Sequence, residues 1–387
     1  MTPRASKSLS ALPGYPMAGF KERRMALEAE GVDIIDLGVG DADLAPPPAV
    51  VAALQRAVED PTMSRYPFQV GLPAFRTAVA AWMEKRFGVV LDAQAELLPL
   101  LGSKDGLAHL PFAFMDPGDV GIIPDPGYPA YRGGTVFAGG EPWMVALRPE
   151  HDFLIPLDLI PADVVGRARV LYLNYPNNPT AASAPDEYYR QAIAFCREHG
   201  IILVHDHAYS EIAFNGYRPP SILEFEGARE VAVEFHSLSK TYNMTGWRIG
   251  WVAGNRDLIA GLSRVKTFMD TGVFLGVQAA GVAALESWDT WVPGNVAVFQ
   301  SRRDRAVAAF RSAGYELPEP RASMYLWIPV PGSERSHDFA RRCLDREGVM
   351  VLPGAGLGDG GEGFFRVALT VPEHRLEEAA ARLGRLL

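Results

Sequence analysis

Cysteine is nearly missing from the 387 residues: only Cys196 and Cys343 occur, each inside a stretch with helical periodicity. Two such residues offer neither a disulfide framework nor the paired spacing of a structural zinc site, and they fit a reducing, cytoplasmic setting. Long apolar runs are missing too. No uncharged stretch reaches the roughly 20 residues that span a bilayer. The N-terminal residues Met1-Thr2-Pro3-Arg4-Ala5-Ser6-Lys7 lead into Pro13, Gly14 and Pro16 rather than an apolar export segment. The expectation is a protein neither exported nor embedded. Positive charge is in deficit, with 37 Lys and Arg against 46 Asp and Glu and a net charge of -9. That balance argues against a partner of nucleic-acid type, while a local basic group can still hold a phosphate or carboxylate. No internal repeat stands out. The glycine-rich stretch 354–363 precedes a strand pattern, Phe364 to Leu369, whereas a nucleotide-phosphate loop should open a helix.

What is present describes an ordinary globular enzyme, 48% hydrophobic and 21% charged, and too long for one small core. Short apolar runs alternate with helical or turn-like segments: Glu96 to Leu101, Val120 to Pro124, Val170 to Leu173, Ile201 to Val204, Val231 to Phe235 and Trp247 to Gly254. Such runs suit strands buried on both faces of a mainly parallel sheet. Ligands of open α/β sheets gather beyond the carboxyl ends of strands, and Asn174, Asp206 and the segment 237–240 each follow such a run. After about Glu286 the pattern changes to a charged helix around Arg302 to Phe310 and then to strands at Met324 to Ile328 and Phe364 to Leu369. This predicts a large α/β domain over 46–285 and a smaller α+β domain over 286–387.

The segment Ser237-Leu-Ser-Lys-Thr-Tyr-Asn-Met-Thr-Gly-Trp-Arg248 sets one lysine beside two serines with an arginine further along. An aldehyde cofactor that carries a phosphate needs an amine for a Schiff base, and hydroxyls and a cation for the phosphate. Lys240 supplies the amine, Ser237 and Ser239 the hydroxyls, and Arg248 the cation of a pyridoxal phosphate site. A solvated Ser/Thr-rich turn is the plainer reading of the same residues. A second phosphate contact is expected where Leu101-Gly102-Ser103-Lys104 follows a strand and opens a helical pattern, with Ser103 and Lys104 as candidates. His205 and His207, two apart on a strand, suggest a metal pair, but no third ligand has suitable spacing, so no metal is expected.

Together these motifs resemble the fold-type I, class I and II aminotransferases, in that family's order and from about Gly40 to Arg366. Gly40-Asp-Ala-Asp43 resembles the family's opening Gly-Glu-Pro-Asp, and Tyr66, Gly71 and Arg76 resemble the Tyr, Gly and Leu-Arg pattern that follows. Asn174-Tyr-Pro-Asn-Asn-Pro-Thr180 matches Asn-Pro-x-Asn-Pro-Thr, with Ala181 where the family commonly has glycine. His205-Asp-His-Ala-Tyr209 stands where Asp-x-x-Tyr is expected. The resemblance implies an α/β fold of PLP-dependent transferase type I, with residues 1–45 joining the small domain. It implies that Asp206 keeps the cofactor's ring nitrogen protonated, that Asn178 and Tyr209 bond its phenolic oxygen, and that Tyr128 stacks on the ring. Arg366 would clamp the substrate carboxylate, with Gly40 and Asn178 beside it, and Tyr66 would reach the phosphate of a neighbouring subunit in a homodimer with shared active sites.

The implied activity is amino transfer between an amino acid and a 2-oxo acid. Within the family the wording is most similar to the branch that acts on LL-diaminopimelate with 2-oxoglutarate, and Lys104 is then a candidate for the distal carboxylate. An aspartate or alanine aminotransferase, a PLP lyase or a non-catalytic PLP-binding sensor are the alternatives; a sensor usually carries a DNA-binding module, for which the sequence shows no room.

Overall fold

The computed structural model describes residues 4–14 and 17–387. Met1, Thr2, Pro3 and Pro16, which bear on the export reading, lie outside the described residues. Among the described residues no helix is long and apolar enough to cross a membrane.

Among the described residues twelve strands form three sheets: β1 (Ile35–Asp36), β2 (Leu97–Leu100), β3 (Val120–Asp125), β4 (Glu141–Ala146), β5 (Ala168–Leu173), β6 (Ile202–Asp206), β7 (Ala232–Ser237), β8 (Gly250–Gly254), β9 (Tyr325–Pro329), β10 (Val349–Met350), β11 (Leu352–Pro353) and β12 (Phe364–Ala368). The largest sheet has the order β2-β8-β7-β6-β5-β3-β4. Its strands run parallel except β8, which is antiparallel to both β7 and β2. Its central strands are apolar on both faces because helices cover both sides. Along β5, Val170 and Tyr172 enter one core while Leu171 and Leu173 enter the other. A third core lies on the sheet β11-β12-β9, and β1 pairs with β10, so Ile35 and Leu37 pack among residues from the far end of the chain.

Helix boundaries follow local chemistry. The helices Pro48–Glu59, Pro73–Phe87 and Pro129–Phe137 each begin on a proline, whose missing N–H costs nothing in a first turn. Asn255 caps Arg256–Met269 by accepting from the N–H groups of Asp257 and Leu258.

One expected strand is shorter than its apolar run. Trp247 ends a single 3-10 turn and Arg248 takes a left-handed conformation at φ 54°, so extended backbone starts only at Gly250. That reversal turns the Arg248 side chain back to the carbonyls of Thr245 and Leu101. The glycine-rich stretch 354–363 forms two 3-10 turns and leads into β12.

Candidate active site

Alternation along the strands sorts the polar residues by face. Val204 and Val233 belong to one core and Leu203 and Ala232 to the other, so Asp206 and Ser237 share a face, with His205, Glu234 and His236 across the sheet. Asp206 ends β6, almost wholly buried. Its Oδ2 accepts from the Tyr131 hydroxyl at 2.7 Å, and its Oδ1 has no hydrogen-bond partner among the described residues. Burial pushes this carboxyl up to about 6, against the opposing pull of the Tyr131 hydrogen bond. A buried acid with one oxygen spare is suited to a cationic donor from outside the chain.

Lys240 stands on the short helix Leu238–Thr241 that follows β7, and its Nζ donates to the carbonyl oxygen of Gly40. Gly40 has no room for a side chain, because a Cβ there would run into the Tyr325 hydroxyl. Tyr325 in turn shares a hydrogen bond of 3.1 Å with Tyr209. Burial would raise the Tyr325 phenol, but the positive charges of Arg366 and Lys240 outweigh it and hold the phenol below its ordinary value.

Arg366 lies on β12 with its guanidinium 4.1 Å from the Tyr325 ring centroid. Nη1 donates to Asn178 Oδ1 at 2.7 Å and Nη2 to the Gly38 carbonyl at 2.8 Å, while the buried Nε has no partner among the described residues. Asn178 is fixed through its own backbone, whose N–H donates to Asn174 Oδ1, and Asn174 Nδ2 donates to the Asp206 carbonyl at 2.7 Å. The same turn holds Ala181 at φ 58°, where glycine is the unstrained residue. The opening loop is held by Arg302, which grips both oxygens of Asp43.

A second cluster gathers at the start of the helix Ser103–His109. Gly102 precedes it at φ 77°, and a Cβ there would meet the Arg248 guanidinium. Ser103 N lies beside Gly250, the first residue of β8. Ser237 caps the Lys240 helix, its hydroxyl accepting from Ser239 N at 3.2 Å, and Ser239 is buried. Lys104 is exposed, with Nζ 5.9 Å from the ring centroid of Tyr128. Tyr66 stands apart from all of these, 72% exposed, with its ring 6.3 Å from that of Phe68.

The sequence-based expectation that His205 and His207 lack a third partner is corrected by the fold. Register pairs His205 with Glu234 on β7, and His205, His207 and Glu234 come together in the core. The Glu234 carboxylate is already saturated: it accepts from Ser221 Oγ, Ile222 N and His236 Nε2 at 2.7 Å each and lies 2.8 Å from His205 Nδ1. A carboxylate with four such partners is a satisfied core group. Tyr131, Tyr325, Arg302 and Glu234 were not singled out from the sequence. Tyr131 follows Tyr128 at helical spacing, and Glu234 interrupts an apolar strand where a charge must find partners; those were the available signals.

The family profile described as aminotransferase class I and II matches residues 32–383. The LL-diaminopimelate aminotransferase of Desulforudis audaxviator is 48% identical over 378 residues, which cover 98% of this chain and 96% of that protein. Among solved structures, substrate-bound BacF from Bacillus subtilis matches with a TM-score of 0.95 and 32% identity, over 100% of this chain and 98% of that one. The probable N-succinyldiaminopimelate aminotransferase from Thermus thermophilus matches with a TM-score of 0.90 and 40% identity, over 95% of this chain and 98% of that one.

Proposed function

The chain belongs to the class I and II aminotransferases, enzymes that depend on pyridoxal phosphate, and we propose that its amino donor is LL-diaminopimelate and its acceptor 2-oxoglutarate, a step of lysine biosynthesis. The observation that carries the substrate is the 48% identity to an LL-diaminopimelate aminotransferase along nearly the whole of both chains.

The residues present fit the cofactor. The spare, buried Oδ1 of Asp206 suits a protonated ring nitrogen, and the close approach of the Arg248 guanidinium to Gly102, which no side chain there would allow, suits a phosphate together with the hydroxyls of Ser237 and Ser239. Ser103 completes that cradle at the head of its helix, and Lys104 stands one residue past it. When bound, pyridoxal phosphate supplies an aldehyde carbon conjugated to an electron-accepting ring. Lys240 Nζ is the amine that would hold the cofactor's aldehyde carbon, and as a free amine it would take the proton from the substrate Cα. Its hydrogen bond to the Gly40 carbonyl fixes the amine against the 38–43 loop. Asp206 would hold a proton at the ring nitrogen, Asn178 and Tyr209 would hold the phenolic oxygen, and Tyr128 would cover the ring and exclude water from it.

Arg366 receives the α-carboxylate. Two of its five N–H donors are committed to Asn178 and Gly38, which sets the plane of the guanidinium and leaves Nε and the second hydrogen of each Nη for the substrate. Gly40 lets the Tyr325 hydroxyl close against the backbone beside that pocket. Lys104 reads the distal carboxylate that diaminopimelate carries and alanine lacks.

In this reading the enzyme is a cytoplasmic homodimer. Tyr66 acts on the phosphate of the partner subunit, which accounts for a tyrosine 72% exposed beside the exposed side chains of Phe68 and Val70. The division into 1–45, 46–285 and 286–387 is part of the same proposal; the packing of Ile35 and Leu37 into the core on β9 and β12 supports it. The deciding experiment incubates purified protein with 2-oxoglutarate and a panel of amino acids: the diaminopimelate isomers, N-succinyl-diaminopimelate, aspartate and alanine. Glutamate formation should be fastest with the LL isomer. Faster turnover of the succinylated compound, aspartate or alanine would replace the substrate and leave the reaction class standing.

A further inference from the structure

We propose that Lys266 is a positioning residue for the cofactor's phosphate: it locks the turn Leu101-Gly102-Ser103 from inside the protein through Asp105, and ties that turn to the segment after Met269. The inference rests on the reading of that turn, with Arg248, as the phosphate cradle.

Lys266 lies near the end of the helix Arg256–Met269 and is completely buried. A buried ammonium is costly unless charges and hydrogen bonds compensate it. Here Nζ donates to Asp105 Oδ2 and, at 2.7 Å, to Asp270 Oδ2. Asp105, Asp270 and His109 come close enough to suggest a metal site, but the Lys266 ammonium is already the cation that joins the two carboxylates.

Each carboxylate then passes its position on to backbone. Asp105 Oδ2 accepts from Leu101 N at 3.0 Å, and its Oδ1 lies 2.8 Å from His109 Nδ1. Asp270 Oδ1 accepts from Gly272 N at 2.6 Å. On its other side Leu101 offers its carbonyl to Arg248 Nη2 at 3.3 Å. The turn is therefore held from beneath by the Lys266–Asp105 pair and from above by the arginine expected to meet the phosphate. Without the ammonium, two carboxylates would face each other at low dielectric, and Asp105 would leave its place under Leu101 N. The effect should fall on the phosphate and not on the ring, because the hydrogen bonds of Lys266 run to Asp105 and Asp270 and not to Asp206, Tyr128 or Asn178.

The test uses full-length protein stripped of cofactor. Pyridoxal phosphate and pyridoxal are titrated separately, and inorganic phosphate serves as a competitor. Lys266→Met keeps the bulk and removes the charge. It should weaken pyridoxal phosphate by about tenfold or more, the scale of a lost hydrogen bond between charged groups, weaken inorganic phosphate in parallel, and leave pyridoxal unchanged. Asp270→Asn, at the outer end of the pair, should show the same selectivity with a smaller loss, and it decides the matter where Lys266→Met does not fold. Equal losses for pyridoxal and its phosphate, or no loss for either, overturn the proposal. Arg248→Gln separates the two readings: if it too spares phosphate binding, the cradle itself is misassigned and both readings fall. If it abolishes the preference for phosphate while Lys266→Met does not, only the role of Lys266 falls.

Discussion

The Tyr131 hydroxyl donates to Oδ2 of Asp206 at 2.7 Å from a ring stacked on Tyr172, centroids 4.8 Å apart. Both partners are buried, so the bond fixes the rotation of the carboxylate and leaves Oδ1 as its one uncommitted oxygen among the described residues. Burial and hydrogen bonding act on Asp206 in opposite senses: burial favours the protonated acid, and the phenol favours the anion. An anion at this position is what a protonated ring nitrogen requires.

Tyr131→Phe keeps the stacked ring and removes only that donor. Asp206 should then hold its proton to higher pH, because the group that favoured its anion is gone. We expect kcat/KM to fall about tenfold, the scale of one hydrogen bond to a charged group, with the acidic limb of its pH profile displaced upward. A profile that keeps its acidic limb would show that Tyr131 does not act through Asp206.

The same acid makes stability depend on pH. Asp206 is raised from its ordinary 3.8 to about 6 by burial. Between those values the folded protein keeps a proton that the unfolded chain has released, so stability falls as pH rises through that window. The loss is complete above it and on the order of 3 kcal/mol for the cofactor-free protein. Asp206→Asn stays neutral and keeps an acceptor for Tyr131. In chemical denaturation without cofactor it should be more stable than the unsubstituted protein at pH 8, and the gap should close toward pH 4. Parallel stability curves at both pH values would contradict the assignment.

Much of this arrangement was legible in the chain because it lies at strand ends. Asn174, Asp206 and Ser237 each close or follow a run whose burial on both faces marks a parallel strand, and strand ends converge in such sheets. The partners of these residues were not legible, since they come from far along the chain: Tyr131 is 75 positions from Asp206, and Tyr325 is 116 from Tyr209. No periodicity reports which side chain of one layer will touch another. The start of β8 is set by a local feature that the apolar run does not show, the left-handed turn at Arg248. Such a conformation is rare for a residue with a side chain and leaves no mark in the pattern.

Arg366→Lys tests the carboxylate clamp. Lysine can carry the charge but cannot at once satisfy Asn178 Oδ1, the Gly38 carbonyl and a substrate carboxylate in fixed directions. A loss of about 100-fold in kcat/KM, corresponding to one or two charge-assisted hydrogen bonds, is expected for the amino donor and the oxo acid alike, since both carry the α-carboxylate. A loss confined to one of the two substrates would place that clamp elsewhere.

Lys104→Ala addresses the choice of substrate. The Lys104 side chain is exposed and its ammonium lies 5.9 Å from the ring centroid of Tyr128, the aromatic assigned to the face of the cofactor, so it stands at the rim of the site and one residue past the proposed phosphate turn. If it meets the distal carboxylate of LL-diaminopimelate, its removal should raise KM for that donor by about tenfold. Alanine, which has no distal group, should be unaffected, and 2-oxoglutarate, whose chain is shorter, should change far less. Equal losses on all three would assign Lys104 to the phosphate instead, a role that direct titration of pyridoxal phosphate into cofactor-free Lys104→Ala would register as weakened binding. An unsubstituted enzyme without activity on LL-diaminopimelate would remove the substrate assignment, while Lys240, Asp206 and Arg366 would keep their parts in transamination of another amino acid.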